Sequence, residues 1–545
     1  MTEDFTKLKQ WIEQMAALIE NNADPEPHYV NSFLQEPHLA SQLVDLLDHM
    51  SEEKLEETRS YYSACIYALD ICVAQLQSAL ESGSKSAIKI LDQLMSHLAR
   101  TIRTGSHTLS FWLPILNAFY DVHAELSDEL RDAYLELAGQ EEEISPEEEV
   151  NHLKAIQDMI NELSELSIFD IAENFFAQSY AMPVEFFADL VFDLYSIPEG
   201  QDIALLMLLH PKHFVREIVI AAHEEIVSGV TFSSASLTRL QAIKNWYPAE
   251  YHEQFNRWIK IQRKKGVILQ PPPHGEIKRI KASEVDGSGA QGVFIHVKLG
   301  RNNRLCGLLF KDEIGIKDVW VTPIMTTAEI NRYYEEAFDD SVTLRVVDLD
   351  FYRVICEHFL AMTLAKNEVP DLHFLEMQEL LGVHFTPQAI DIAALIEDLS
   401  VQIHPFTPEI VDMSFKRSKS WLKNKSFTES WYIENAHVDK LVNRCSSFVE
   451  GIKVCSIDEA TEEVFSEEFE ARREKWLFHF LWIALWLKAS SRTNEKLWQD
   501  SFFIAHAIFN GTPLKDIPVM QEIVRQTIYN SIETMNERRT HLNQE

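Results

Sequence analysis

Residues 270–299 read QPPPHGEIKRIKASEVDGSGAQGVFIHVKL, and this stretch decides the fold. Consecutive prolines fix φ and remove N–H donors, so neither a helix nor a sheet ladder passes through Pro271, Pro272 and Pro273. Gly275 then releases the backbone. Beyond it, apolar and polar side chains alternate with period two. Strands are expected at 277–281, 293–299, 305–311 and 319–322, joined by turns containing Gly or Asn. Residues 275–327 therefore form a small antiparallel β element.

On either side of that element the apolar period is 3.6. Leu43, Leu46, Leu47 and Met50 share a helix face; so do Ile66, Leu69, Val73, Leu76 and Leu80, with Gly83 as the stop. Leu91, Leu94, Met95 and Leu98 form another stripe, and Ile115, Phe119 and Val122 a further one. After residue 328 the strongest helices are expected at 348–366, 387–401, 467–490 and 516–539. The run 476–487 is apolar almost all round, which places it inside a bundle. Only 16 Gly and 19 Pro occur in 545 residues, too few for a turn-rich sandwich or propeller. The fold class is mainly α: a helical array, a small antiparallel β insert and a C-terminal helical bundle. The acidic run 141–149 marks a soft boundary, with Ser145 as helix N-cap and Pro146 in the first turn. Four segments follow: 1–144, 145–269, 275–327 and 328–545.

Residues 204–226, ALLMLLHPKHFVREIVIAAHEEI, carry an apolar helix, a His-Pro turn and a second helix opening on Val215-Arg216. This unit resembles the helix–turn–helix of HEAT-repeat proteins, and the resemblance implies a helical array with binding surfaces. Residues 285–291, 317–321 and 482–486 are similar to segments of uncharacterised bacterial proteins of mixed helical architecture, a resemblance that carries no activity.

Formal net charge is −36, which opposes phosphate backbones and anionic membranes. The six cysteines (65, 72, 306, 356, 445 and 455) include no CxxC pair, as expected of a reducing compartment. The start, MTEDFTKLKQW, has acid where a signal peptide has base, and the run 476–487 is shorter than the roughly 20 residues a bilayer requires. A cytoplasmic protein with no membrane contact is expected.

Gly287, Gly289 and Gly292 spell GxGxxG, but a strand follows instead of the helix that a dinucleotide site requires. A kinase-like strand–loop–strand layout would use Lys311; the rest of that set is missing, since Asn443 stands one residue short after His437-Val438-Asp439 and no DFG follows. With Asp286 in front, the glycines read as a hairpin turn, and a phosphate- or nucleotide-handling loop at 286–292 is the enzymatic alternative. His210, His213 and Glu217 have ligand-like spacing, but Pro211 puts His210 in a turn and leaves an i,i+4 His–Glu contact. Asp348, Asp350 and Glu357 read as helix capping and first-turn acid rather than a metal cluster. No catalytic residue, metal or cofactor is assigned.

Two basic islands interrupt the acidic chain. Arg257, Lys260, Arg263, Lys264 and Lys265 surround Trp258. Lys416, Arg417, Lys419, Lys423 and Lys425 alternate with Phe415, Trp421, Phe427 and Trp431, and with five serines, which suits an exposed loop or ragged helix. Three uses fit such an island: pairing with the chain's own acids, single-stranded nucleic acid, and an acidic protein partner. The favoured function is a non-enzymatic protein-binding or scaffolding protein, with partner contacts at Lys416, Arg417, Lys419, Trp421, Lys423, Lys425 and Trp431. Nucleic acid is disfavoured by the net charge.

Overall fold

The computed structural model describes residues 3–542 apart from 22–26, 56, 82–83, 144–151, 179–181, 271, 339–341, 422–430, 450–451 and 491–494. The expectations placed on Gly83, Ser145, Pro146, Pro271, Lys423, Lys425 and Phe427 lie outside the described residues. The chain is mainly α, 68% helical, with one five-stranded antiparallel sheet. It divides into two compact units, Met1–Thr231 and Phe232–Glu545, a coarser division than the four segments expected.

Unit 1 is helical throughout its described residues. The apolar stripes read from the sequence are buried: Leu43, Leu46 and Leu47 on Ala40–Asp48, Leu69, Val73 and Leu76 on Arg59–Glu81, and Leu91, Leu94, Met95 and Leu98 on Lys85–Thr104. Among the described residues, one helix, Arg59–Glu81, is long and apolar enough to cross a membrane by length and composition; its Ala64, Cys65, Ala68 and Cys72 are buried within the unit. The His-Pro break falls where the sequence puts it. A short helix Gln201–Leu206 tightens into a 3-10 turn at Met207–Leu209, and His213–Ile226 follows. Buried Arg216 donates from Nη1 to the carbonyls of His210 (2.8 Å) and Pro211 (2.7 Å), satisfying acceptors that the proline break leaves open.

Unit 2 is built on the sheet. Strands β1 (Glu276–Ser283), β2 (Ala290–Leu299), β3 (Asn302–Lys311), β4 (Gly315–Val321) and β5 (Leu344–Val347) lie in the order β4-β3-β2-β1-β5. The four expected strands fall within β1 to β4. β5 lies outside the expected 275–327 element: it pairs antiparallel with β1, Ile280 opposite Val347. A second short hairpin, β6 (Ser446–Val449) with β7 (Ile452–Cys455), also went unread in the sequence. Both faces of the large sheet are covered. On one, Phe294 and Leu305 pack with Ile330 of the helix Thr327–Ala337, fixed by a Thr326/Glu329 capping box. On the other, Phe310 stacks on Phe359 of the helix Leu349–Ala365, whose N-cap is Asp348.

The apolar helix expected at 467–490 begins later, as Arg473–Lys488, after a π-helical turn Phe465–Phe469 and a 3-10 turn Glu470–Arg472. Its Trp476, Phe480, Ile483 and Leu487 are buried, as are Trp482 and Trp486. Tryptophans inside a core need an acceptor for the indole N–H, and the sheet supplies it: Trp482 donates to Gln291 Oε1 (2.8 Å) and Trp486 to the Ala282 carbonyl (3.2 Å). The helix is therefore locked to β1 and β2 by directional bonds as well as by apolar contact.

Candidate functional site

The glycine-rich segment spans residues 286–292. It joins β1 to β2, so the hairpin reading holds. The Asp286 carboxylate accepts from the Ser288 hydroxyl (2.8 Å) and from the Ala290 N–H (2.9 Å), and the Gly289 N–H bonds the Asp286 carbonyl (3.0 Å). The Ala290 amide is thus engaged by an internal anion, the place a phosphate would take, and the Gly289 amide by a backbone carbonyl. Gly289 has φ +78°, and a Cβ there would lie 2.6 Å from His479 Nε2. Its glycine serves both the left-handed backbone and the close packing on His479.

His479 is fully buried; its Nε2–H donates to Asp312 Oδ2 at 3.1 Å. Burial keeps the imidazole below its ordinary pKa, so the ring is neutral. Burial alone would raise Asp312, but the His479 hydrogen bond and nearby positive charge, including Lys475, hold it below the usual carboxylate range. The pair is a carboxylate with a neutral histidine. Trp431, Trp476 and Trp482 surround the His479 ring at centroid distances of 5.9, 5.9 and 6.4 Å, and Nδ1 has no hydrogen-bond partner among the described residues.

Asp312 opens onto a cavity of about 670 Å³ whose walls include His358, Met362, Ile390, Ile392, Lys475 and Phe478. His358 Nδ1 accepts the Ile390 N–H (3.1 Å), so Nε2 carries the proton; burial pushes this histidine down to about 4. Glu313, on the lip, adopts φ +65°, a left-handed conformation unusual for a residue with a side chain. Arg472 and Arg473 also line the cavity, but they are engaged by Glu468 (3.1 Å) and Glu470 (2.9 Å). None of these cavity residues carries a local sequence motif.

The basic island 415–431 is placed differently from the exposed loop expected. Its first part is the last turn of a helix, Pro408–Ser418. Trp421 and Trp431 are buried, at 4% and 1% exposure, and the Trp431 indole donates to the Val285 carbonyl at 2.9 Å. The expectation of exposed tryptophans is corrected: both rings are buried against Phe480, and the Trp431 N–H finds its acceptor there. Arg417 binds buried Asp500 with two hydrogen bonds, Nε at 3.1 Å and Nη2 closer, and Lys416 pairs with Asp412 at 2.7 Å. Lys416 and Lys419 remain exposed. In the other island, Trp258 is buried.

The residues with metal-like spacing have local roles. His210 is buried against Phe176 and Phe187 and accepts the Lys212 N–H at 3.1 Å, whereas His213 faces Glu217 at 3.9 Å. Asp348 accepts from the Phe351 N–H (2.8 Å) and Glu357 from the Thr386 N–H (3.1 Å).

Unit 1 holds a second cavity, of about 630 Å³, beside the His-Pro turn. Leu126, Leu135, Pro183, Phe187 and Val215 form its apolar lining, with Arg131 and Lys212 among the wall residues. Burial, then the neighbouring Arg131 charge, lowers the Lys212 pKa, and Glu125 offsets this in part. Arg131 meets Asp128 across an exposed 3.4 Å contact and donates from Nη2 to the Leu126 carbonyl at 3.5 Å. Phe214 stands on the rim with 51% of its surface exposed.

Residues 393–532 match the family described as the Y4lR C-terminal helical domain, and residues 183–266 the Y4lR second domain. Over 337 residues the chain is 24% identical to "Uncharacterized protein y4lR" of Sinorhizobium fredii (strain NBRC 101917 / NGR234). That alignment covers 60% of this chain and 61% of the relative, so the chain spans about three fifths of the relative's length. The similarity to uncharacterised bacterial proteins is thereby established. No solved structure matches.

Proposed function

We propose that the chain is a non-enzymatic protein-binding protein of the bacterial cytoplasm, and that its unit 1 cavity receives an acidic, apolar-flanked segment of a protein partner. One observation carries this reading: Arg131 and Lys212 line the same apolar cavity, under a half-exposed Phe214, in a chain whose net charge is −36. Two cations close enough for one to depress the other's pKa are each stabilised by a carboxylate placed between them. An aromatic rim beside such a cation pair is the composition in which binding energy concentrates. The sequence resemblance of 204–226 to a HEAT unit fits the reading, since stacked helix pairs of that kind present concave binding surfaces. The scattered cysteines support the compartment. Lys416 and Lys419 of unit 2, with Lys423 and Lys425 beside them in the sequence, offer a further contact for an acidic protein segment, while Arg417 is tied to Asp500 and Trp421 and Trp431 are buried.

The test is purification of the tagged chain from its own organism, wild type against Arg131→Glu with Lys212→Glu. Loss of a stoichiometric acidic partner at unchanged Tm is the expected result. An unchanged set of co-purifying proteins contradicts the reading.

A further inference from the structure

The unit 2 cavity has a chemistry different from that of the unit 1 cavity just described. Its inner wall offers one ionised carboxylate, Asp312, which is only 10% exposed and is kept deprotonated by the hydrogen bond from neutral His479. Glu313 and Glu474 add negative charge at the mouth. Opposing them are two donors. Lys475 lines the cavity close enough to act on the charge of Asp312, yet forms no ion pair among the described residues. His358 has its Nδ1 committed to the Ile390 N–H, which leaves an N–H at Nε2 and no acceptor for it among the described residues. Met362, Ile390, Ile392 and Phe478 add apolar surface to the wall.

A simple anion would meet Asp312, Glu313 and Glu474. A simple cation would leave the Lys475 ammonium and the His358 N–H unanswered. A molecule bearing both charges answers both ends, and an apolar side chain answers the wall. We propose that this cavity binds a small zwitterion with an apolar side chain, a free amino acid or a short peptide, its ammonium on Asp312 and its carboxylate toward Lys475 and His358. At about 670 Å³ the cavity lies within the roughly 300–1,000 Å³ of small-molecule sites. The backbone near the cavity is irregular. The helix bearing Lys475 and Phe478 is preceded by the π turn Phe465–Phe469 and the 3-10 turn Glu470–Arg472, and Glu313 holds its left-handed φ at the lip. Such departures concentrate at binding sites, where close approach to a ligand is worth more than regular hydrogen bonding.

The experiment is thermal shift and calorimetric titration of the full chain with L-leucine, L-methionine, L-phenylalanine and L-leucyl-L-leucine. N-acetyl-L-leucine, which lacks the ammonium, and L-leucinamide, which lacks the carboxylate, serve as controls. At least one zwitterion should raise Tm saturably, and whether the free amino acids or the dipeptide do so distinguishes the source. Each single-charge control should bind about tenfold more weakly or worse, as expected for losing a hydrogen bond to a charged group. Lys475→Gln alters a half-buried side chain with no ion pair to lose among the described residues, so it should fold normally and bind about tenfold more weakly. Asp312→Asn should weaken binding as well, with Lys475→Gln as the safeguard if the loss of the His479 contact unsettles the fold. No saturable shift with any zwitterion at millimolar concentration overturns the proposal. So does equal binding of the N-acetyl and amide controls, or wild-type affinity in Lys475→Gln.

Discussion

Replacing Gly289 by alanine, with Gly300→Ala as its control, isolates what the glycine-rich turn does. Both glycines have left-handed φ, +78° and +61°. Each substitution incurs the same cost of about 1–2 kcal/mol for placing a Cβ in that conformation. Each also gains the same few tenths to about 1 kcal/mol by stiffening the unfolded chain. Their surroundings differ. Around Gly300 nothing lies within 4 Å of the new Cβ, whereas at Gly289 it would sit 2.6 Å from His479 Nε2 and 3.0 Å from Asp312 Cβ. His479 is fully buried and ringed by tryptophans, so it can move only by stretching or breaking its bond to Asp312. Leaving those buried polar groups unsatisfied adds about 1–3 kcal/mol. Gly289→Ala should therefore lose about 2–4 kcal/mol and Gly300→Ala about 1 kcal/mol or less. Urea unfolding followed by tryptophan fluorescence measures both in the same transition, since Trp431, Trp476 and Trp482 surround His479. Equal losses in the two variants would refute the claim that the turn is packed against the histidine.

Arg417→Ala should cost about 2 kcal/mol, because it strands the buried carboxylate of Asp500, whereas Lys416→Ala, at an exposed pair, should cost about 0.5 kcal/mol or less in the same unfolding assay. Thr326→Ala removes a capping box and should cost about 1 kcal/mol by thermal melting. Acid should destabilise unit 2. His358 falls to about 4 in the folded chain, below its ordinary value of 6.5, so the unfolded state takes up the proton first and stability drops as pH falls from 6.5 toward 4. His358→Gln should flatten that part of the plot of urea midpoint against pH. In unit 1, His210 and His223, at about 3 and 4, act in the same direction, while Asp70, raised by burial to about 7, acts in the opposite one.

The fold was legible where the pattern is local. Period two from Ile277 to Leu299 marked β1 and β2 because each residue's face is set by its immediate neighbours. β5 escaped because its four residues carry too little pattern, and its place at the sheet edge is decided by pairing with β1, some 60 residues earlier. The expected helix at 387–401 starts only at Ile392, where Asp391 caps it and accepts from the Ala394 N–H. The basic island misled for a related reason. Alternating Lys, Ser and Trp look solvent-exposed in isolation, yet the environment of Trp431 is set by Val285, 146 positions away. Neither cavity was legible. The unit 2 cavity draws its walls from residues near 312, 360, 391 and 473, and only the folded backbone brings them together. The one hint was the glycine motif, which pointed to the right neighbourhood through the wrong chemistry: Gly289 faces His479, and His479 holds Asp312 at the cavity wall.

The protein-binding claim is tested most directly by placing a photo-crosslinking phenylalanine analogue at Phe214, half-exposed on the rim of the unit 1 cavity, and irradiating the chain in its own organism. One discrete protein adduct is expected, mapping to an acid-rich segment of the partner and abolished when Lys212 and Arg131 are both changed to glutamate. The absence of a discrete adduct, or an adduct indifferent to those two charges, would contradict the claim.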